Sequence, residues 1–226
     1  MRRYLAEFIG TFFLVLTVGT SVLSGSPLAP LAIGGVLMVM VYAGGHVSGA
    51  HYNPAVTLAV FVRGRIPASE AAGYVGAQLV AALIAAPIAR WAVDPKAVTS
   101  LSLSGRHLGT ALVVEALFAF ALAYVVLNVA TVASHQDNSF YGLAIGFTVM
   151  AGAAAVGGIS GGAFNPAVAL GGSVMGLFSW ADLWVYLVAD LVGGALAGAA
   201  FLFLNPHERR QPAVSESSGL SPVAQS

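Results

Sequence analysis

The residues of this chain best suited to chemistry are few and come in pairs. Asn53 and Asn165 are each followed by proline and alanine, as Asn53-Pro54-Ala55 and Asn165-Pro166-Ala167. Two acids, Glu7 and Glu115, stand inside otherwise apolar runs. Asparagine is a favoured N-cap and proline is accepted in the first helical turn, so each tripeptide is a helix start signal. The unpaired N–H groups and positive dipole end of a helix start favour electron-rich groups and oppose cations, and the asparagine amides add donors of their own. That chemistry recognises a passing solute and makes no bonds. A buried carboxylate has two readings, as a proton-coupling group or as an acceptor for backbone donors that irregular chain leaves unpaired. The second is preferred for Glu7 and Glu115, each serving the glycine-rich loop of its own half.

The remaining polar residues exclude other classes. There is no cysteine and the net charge is zero, so no disulfide framework, thiolate metal site or nucleic-acid partner is expected. His46 and His51 lack a cysteine or carboxylate cluster, so no metal is expected; His51 is expected to pack beside the loop that contains it. No nucleophile and base pair suggests an enzyme, and no cofactor is implied. Asp190 has no evident partner and is assigned to neighbouring backbone or water.

The elements that position these residues belong to a membrane protein. Hydrophobic residues make up 58% of the 226 and charged residues 8%, far below the charge of an ordinary soluble domain. A hydrocarbon core of about 30 Å needs about 20 helical residues. Apolar runs predict spanning helices near residues 4 to 24, 28 to 46, 67 to 91, 108 to 131, 139 to 157 and 181 to 204. The first carries Glu7 and begins almost at Met1, which reads as a retained helix rather than a cleaved leader. Six spans put both termini on one side, with Arg2, Arg3, Arg63, Arg65, Arg209 and Arg210, against Arg90, Lys96 and Arg106 on the other. The positive-inside rule makes the terminal side cytoplasmic. Residues 206–226 read as a polar, disordered cytoplasmic tail.

Two apolar segments are too short to cross, Asn53 to Val62 and Asn165 to Leu177. About ten residues at 1.5 Å each make roughly half the hydrocarbon thickness. Each follows a glycine-rich stretch, and irregular backbone at membrane depth is tolerated only where it is buried in protein or lines a water-filled cavity. The pair therefore predicts a pore. Laying Gly45–Leu58 over Gly157–Leu170 without a gap gives eight identities in fourteen positions, so the chain is a duplicated half. Repeats of about 1–95 and 106–205 form one channel domain, 1–205. Three crossings per half turn the second copy upside down, and the two half-helices enter from opposite faces with their N-termini near the midplane. The small-residue steps Ala72–Gly76 and Gly194–Gly198 read as close helix packing.

With Ala6-Glu7-Phe8, Ser48 to Leu58 and Gly161 to Ala167, the chain resembles the aquaporin and aquaglyceroporin family from about Ala6 to Leu204. A paired Asn-Pro-Ala in an inverted repeat is far more specific than one tripeptide. The resemblance implies an all-α bundle of six transmembrane helices plus two re-entrant half-helices, assembled as a homotetramer in a lipid bilayer. It implies passive transport with one pore per subunit. It also implies ladders of loop carbonyls, here Gly49, Ala50 and His51 in the first loop and Gly161, Gly162 and Ala163 in the second. The compact chain fits a prokaryotic plasma membrane.

One departure from the family pattern bears on the solute. The family's narrowest point usually combines an aromatic residue, often a histidine, and an arginine directly after the second Asn-Pro-Ala. Gapless counting puts these four positions on Ile33, Ala153, Gly162 and Val168. Alanine and glycine remove volume, while isoleucine and valine offer an apolar wall in place of fixed donors. The expected substrates are bulkier uncharged solutes, such as glycerol, urea or undissociated metalloid acids, together with water. A water-selective channel is the alternative. An inverted-repeat secondary transporter would need an ionisable site at the midplane, where this chain offers asparagines. A junction role without flux is a further alternative.

Overall fold

The structure is a computed structural model, and it describes residues 1–96, 98–133 and 138–208. Six long helices account for most of the chain: α1 (Arg2–Leu23), α2 (Ala29–Ser48), α4 (Ala68–Val93), α5 (Gly105–Ala130), α6 (Tyr141–Ser160) and α8 (Leu183–Leu204). Two short ones, α3 (Pro54–Val62) and α7 (Pro166–Met175), sit between them. At 20 to 26 residues, each of the six is long and apolar enough to cross a bilayer. Many large apolar residues of the helices face outward, and small residues fill several of the contacts between helices. Leu5, Leu83, Leu117, Phe147, Leu196 and Phe203 are exposed, whereas Ala81, Ala82, Ala85, Ala86 and Ala89 are wholly buried. Lipid tails solvate the outer face, and small inner residues let backbones approach closely.

Two crossings show how close the approach is. Where α2 meets α6, a Cβ on Gly34 would lie 2.6 Å from the carbonyl oxygen of Gly146, and one on Gly146 would lie 2.4 Å from that of Gly34. Where α8 meets α3, a Cβ on Gly194 would lie 2.3 Å from the carbonyl oxygen of Ala55. The sequence reading of Gly194–Gly198 as packing agrees with this geometry. The Ala72–Gly76 step agrees only in part, because Gly73 faces the Tyr4 ring while nothing lies within 4 Å of the Cβ direction at Gly76.

The helix ends differ from expectation where pore loops begin. α2 and α6 run on to Ser48 and Ser160 rather than 46 and 157, because Gly49 and Gly161 provide left-handed caps with φ of 84° and 92°. α7 ends at Met175, two residues short, on the left-handed Gly176. On the face opposite the termini, the segment between α4 and α5 is tied to the end of α7. Leu101 donates to Leu177 O at 2.8 Å, Ser179 donates to Leu101 O at 3.0 Å, and the Asp182 carboxylate accepts from Leu103 N at 2.8 Å.

On the terminal face the structure describes the first three residues of the segment read as a tail. Pro206–Glu208 form a short turn of 3-10 helix, and Glu208 is bound on three sides. Its carboxylate accepts from Arg63 Nη2 at 2.7 Å and from Ala133 N at 2.9 Å, and its carbonyl accepts from Arg63 Nη1 at 3.3 Å. Arg63 also donates to Thr131 and lies 4.6 Å over the Phe201 ring. The Ala133 N–H, and then Arg63, hold the Glu208 carboxyl below its usual range. Arg209, Arg210 and the remaining tail to 226 lie outside the described residues.

Candidate functional site

Each pore loop is backbone held in a conformation that L-residues avoid. Ala50, Tyr52 and Phe164 have φ near +50°, and Gly162 has φ of 66°. Left-handed backbone costs a bulky residue free energy and persists where the surroundings over-determine it. Here two things hold it. The Tyr52 side chain fills space left by Gly10 and Gly44, where added Cβ atoms would lie 2.2 Å from its ring and 1.9 Å from its hydroxyl oxygen, and that hydroxyl donates to Met40 O at 3.0 Å. The Phe164 ring fills space left by Gly152. Such glycine hollows are invisible to motif reading, because a glycine in a helix says nothing of which ring it faces.

The second restraint is a buried carboxylate. Glu7 Oε1 accepts from the Ser48 hydroxyl at 2.6 Å and from His51 N at 2.9 Å, while Oε2 accepts from Tyr52 N at 2.7 Å and from Gln78 Nε2 at 2.8 Å. Glu115 Oε1 accepts from the Ser160 hydroxyl and from Ala163 N, and Oε2 accepts from Phe164 N at 2.7 Å. Both acids are fully buried. Tyr74 and Tyr186 complete the loop entries by donating to Ser48 O and Ser160 O, at 2.8 and 2.7 Å.

At the centre, Asn53 and Asn165 are the N-caps of α3 and α7. Each Oδ1 accepts from the N–H two residues on, at 2.7 and 2.9 Å. Each Nδ2 donates across to the other half, from Asn53 to Phe164 O at 2.8 Å and from Asn165 to Tyr52 O at 2.9 Å. A primary amide carries two N–H donors. Half of the donor capacity that the sequence assigned to a solute is therefore spent in joining the two loops, leaving one N–H on each asparagine. Pro54, Ala55, Pro166 and Ala167 occupy the buried first turns.

The lumen has three parts. On the terminal face, openings of about 290 and 260 Å³ are bordered by Gly49, shared with His51 and Arg65 in one and with Asn138 in the other. On the opposite face, a vestibule of about 370 Å³ has Ile33, Ala153, Gly161, Gly162 and Val168 on its wall. Between them lies a cavity of only about 20 Å³, bordered by both asparagines, His51, Gly162, Ala163 and Val168, room for roughly one or two waters. Three of the four filter positions, Ile33, Gly162 and Val168, border this small cavity as well as the vestibule. Leu14, Leu37, Leu122, Val126, Ile145 and Val149 form an aliphatic sleeve around the same cavity. The motif count missed this sleeve, since leucine and valine inside a membrane helix carry no signal of facing a lumen. Val168 faces both the vestibule and the central cavity, and Ala50 is buried in the first loop. His51 contacts the Tyr74 ring edge-on, and its Nδ1 lies 3.2 Å from Thr57 Oγ1. Among the described residues no cluster of three metal-ligating side chains occurs.

The sequence matches the family described as major intrinsic protein over residues 1–201. The chain belongs to that family. As a major intrinsic protein it is a passive membrane channel and not an enzyme. It is 39% identical over 211 residues to "Glycerol uptake facilitator protein-like 6" of Lactiplantibacillus plantarum, a match spanning 87% of this chain and 95% of that one. It is 36% identical over 214 residues to "Probable aquaporin NIP4-2" of Arabidopsis thaliana, spanning 90% and 74% respectively. The fold of this major intrinsic protein is also that of the X-ray structure of the aquaglyceroporin from Plasmodium falciparum. The TM-score is 0.76 at 20% identity, and the match covers 92% of this chain and 98% of that one.

Proposed function

We propose that this channel passes small uncharged solutes, with glycerol and urea as the test cases and metalloid acids in the same class, and passes water as well. The observation that carries the reading is the side-chain chemistry of the vestibule. Ile33, Ala153, Gly162 and Val168 all face it, and none of them offers a hydrogen-bond donor or a charge. Such a wall neither matches the diameter of one water nor replaces its hydrogen bonds, and it accepts the carbon face of a polyol. Loop carbonyls from Gly49 to His51 and from Gly161 to Ala163, with the remaining asparagine N–H groups, supply the polar side. The relative named as a glycerol uptake facilitator supports the same solute class.

A water-selective pore is the second reading, and one observation favours it: the central cavity of about 20 Å³ is too small for a polyol at rest. Passage of glycerol requires the aliphatic sleeve to yield by side-chain rotation.

The channel unit is residues 1–205, with repeats of about 1–95 and 106–205, set in a plasma membrane as a homotetramer with both termini cytoplasmic. Arg2, Arg3, Arg63 and Arg65 on the terminal face, against Arg90, Lys96 and Arg106 opposite, support that orientation.

Stopped-flow light scattering on proteoliposomes tests the solute. The wild type is expected to pass glycerol or urea, and Val168→Arg to lose that flux. Water flux alone from the wild type would sink the wide-filter reading in favour of the second.

A further inference from the structure

The two halves are related by a constant offset of 112 residues through the loops and the helices behind them. Asn53 answers to Asn165, Ser48 to Ser160, Tyr74 to Tyr186, and Gln78 to Asp190. The hydrogen bonds follow the same offset, since the paired serines, tyrosines and asparagines make equivalent contacts in both halves. At the last pair the chemistry changes. Gln78 donates its amide to Glu7 Oε2 at 2.8 Å and to Thr57 Oγ1 at 3.0 Å. The answering positions are Asp190 and Ala169. Asp190 is fully buried, and neither of its carboxyl oxygens makes a hydrogen bond of ordinary geometry. The groups facing it are the Glu115 carboxyl and the backbone N–H of Asn165. Glu115 Oε2 takes one donor, Phe164 N, where Glu7 Oε2 takes two.

We propose that Asp190 is a positioning residue for the second pore loop, holding a proton that it shares with Glu115. Two adjacent carboxylates in an apolar bundle repel and lack compensating solvation, so one proton between them is the stable arrangement. As a carboxylic acid, Asp190 donates to the open side of Glu115 Oε2, the role that the Gln78 amide plays for Glu7. The proton resides on Asp190 and is hydrogen-bonded to Glu115, so the two acids titrate as a coupled pair. No cation replaces it from the packed elements: α3 and α7 contain no titratable residue, and on α5 the basic groups are Arg106 and His107 in the first turn. Those two lie about 12 Å or more along the helix from Glu115. On its own segment Asp190 is accompanied by Tyr186, whose hydroxyl is committed to Ser160 O, and by Asp182. Arg63, near the far end of α8, is committed to Glu208 and Thr131.

The consequence reaches the lumen. Glu115 holds Ala163 N and Phe164 N, and Ala163 borders the central cavity. Removal of the shared proton sets two like charges side by side and draws Glu115 away from those donors. The second loop then loosens, while the first, restrained through a neutral amide, does not.

Infrared spectroscopy of the full-length channel in liposomes, with isotope-labelled aspartate, tests the proton directly. At neutral pH a carboxylic-acid band from labelled aspartate is expected in the wild type and in Asp182→Asn, and its loss in Asp190→Asn. Water permeability, common to both readings of the pore, is expected to fall in the wild type as the pH is raised into the alkaline range. It is expected to stay flat in Asp190→Asn and in Asp190→Gln, which installs the residue of the first half. Fully ionised aspartate in the wild type overturns the proposal, a measurement that needs no variant to fold. A band that survives Asp190→Asn also overturns it, and so does a permeability profile that Asp190→Asn and Asp190→Gln leave unchanged.

Discussion

Behind the first pore loop Glu7 receives four donors, the fourth from the amide of Gln78, whereas behind the second loop Glu115 receives three and meets Asp190 instead. The backbone task is the same in both places: left-handed chain ahead of an Asn-Pro-Ala helix start, with N–H groups that must be satisfied inside the membrane. The first half satisfies it with groups that do not titrate around the carboxylate. The second half places an acid in the amide's position, and so ties the shape of that pore loop to the proton of a carboxyl pair. Pseudo-symmetry in this fold constrains where donors and acceptors stand, and leaves open whether the donor is an amide or an acid.

The largest effect expected from breaking this arrangement is at Glu7. Glu7→Ala strands the Ser48 hydroxyl, the N–H groups of His51 and Tyr52 and the Gln78 amide. At roughly 1–3 kcal/mol for each buried orphan, the loss matches much of a stability margin of about 5–15 kcal/mol. Fluorescence-detected size exclusion is expected to show little folded protein. Glu115→Ala strands the Ser160 hydroxyl, the N–H groups of Ala163 and Phe164 and the acid proton of Asp190, so its folded yield is expected to fall nearly as far; a yield close to that of the wild type would contradict the comparison. Next comes Gln78→Asp, which builds an acid pair in the first half. A loss of roughly 1–3 kcal/mol is expected in detergent melting curves, together with a new pH dependence.

Thr57→Ala is a smaller change, since it makes the first half resemble Ala169. It removes the Gln78 contact and the Thr57 hydroxyl bond to Asn53 O at 3.0 Å, and about 1 kcal/mol of stability is expected to go with them. Glu208→Gln is the mildest, at about 1 kcal/mol or less for a partly exposed ion pair. The folded Glu208 carboxyl is held below its usual range. Its contribution is therefore complete above an ordinary glutamate value of about 4.3 and disappears as the pH falls through the lower folded value. The melting temperatures of Glu208→Gln and wild type are expected to converge in acid.

Much of the fold is legible in the sequence because a bilayer imposes length and apolarity on every crossing, and those are properties of residues rather than of contacts. The half-helices are legible for a related reason, since Asn53-Pro54 and Asn165-Pro166 encode a cap and a first turn locally. The boundaries at Ser48 and Ser160 were less so, because the glycines that cap those helices also read as loop. What the sequence left hidden is relational. Nothing in Gly10, Gly44 or Gly152 announces that an aromatic ring from a loop fills the space. Leu122 and Val126 look like lipid-facing residues until the bundle closes around them. Asp190 has meaning only when Glu115 and the counterpart Gln78 are seen together.

The crossed amides at the midplane bear on how such a chain comes to exist. Asn53 Nδ2 finds its acceptor at Phe164, and Asn165 Nδ2 finds its own at Tyr52. During synthesis the first loop therefore waits, incomplete, until more than a hundred further residues have been made and inserted. A lone half has no internal way to finish its own loop. It can do so only against a partner half in the opposite orientation, which a single chain supplies one-for-one and already oriented by the spans before it.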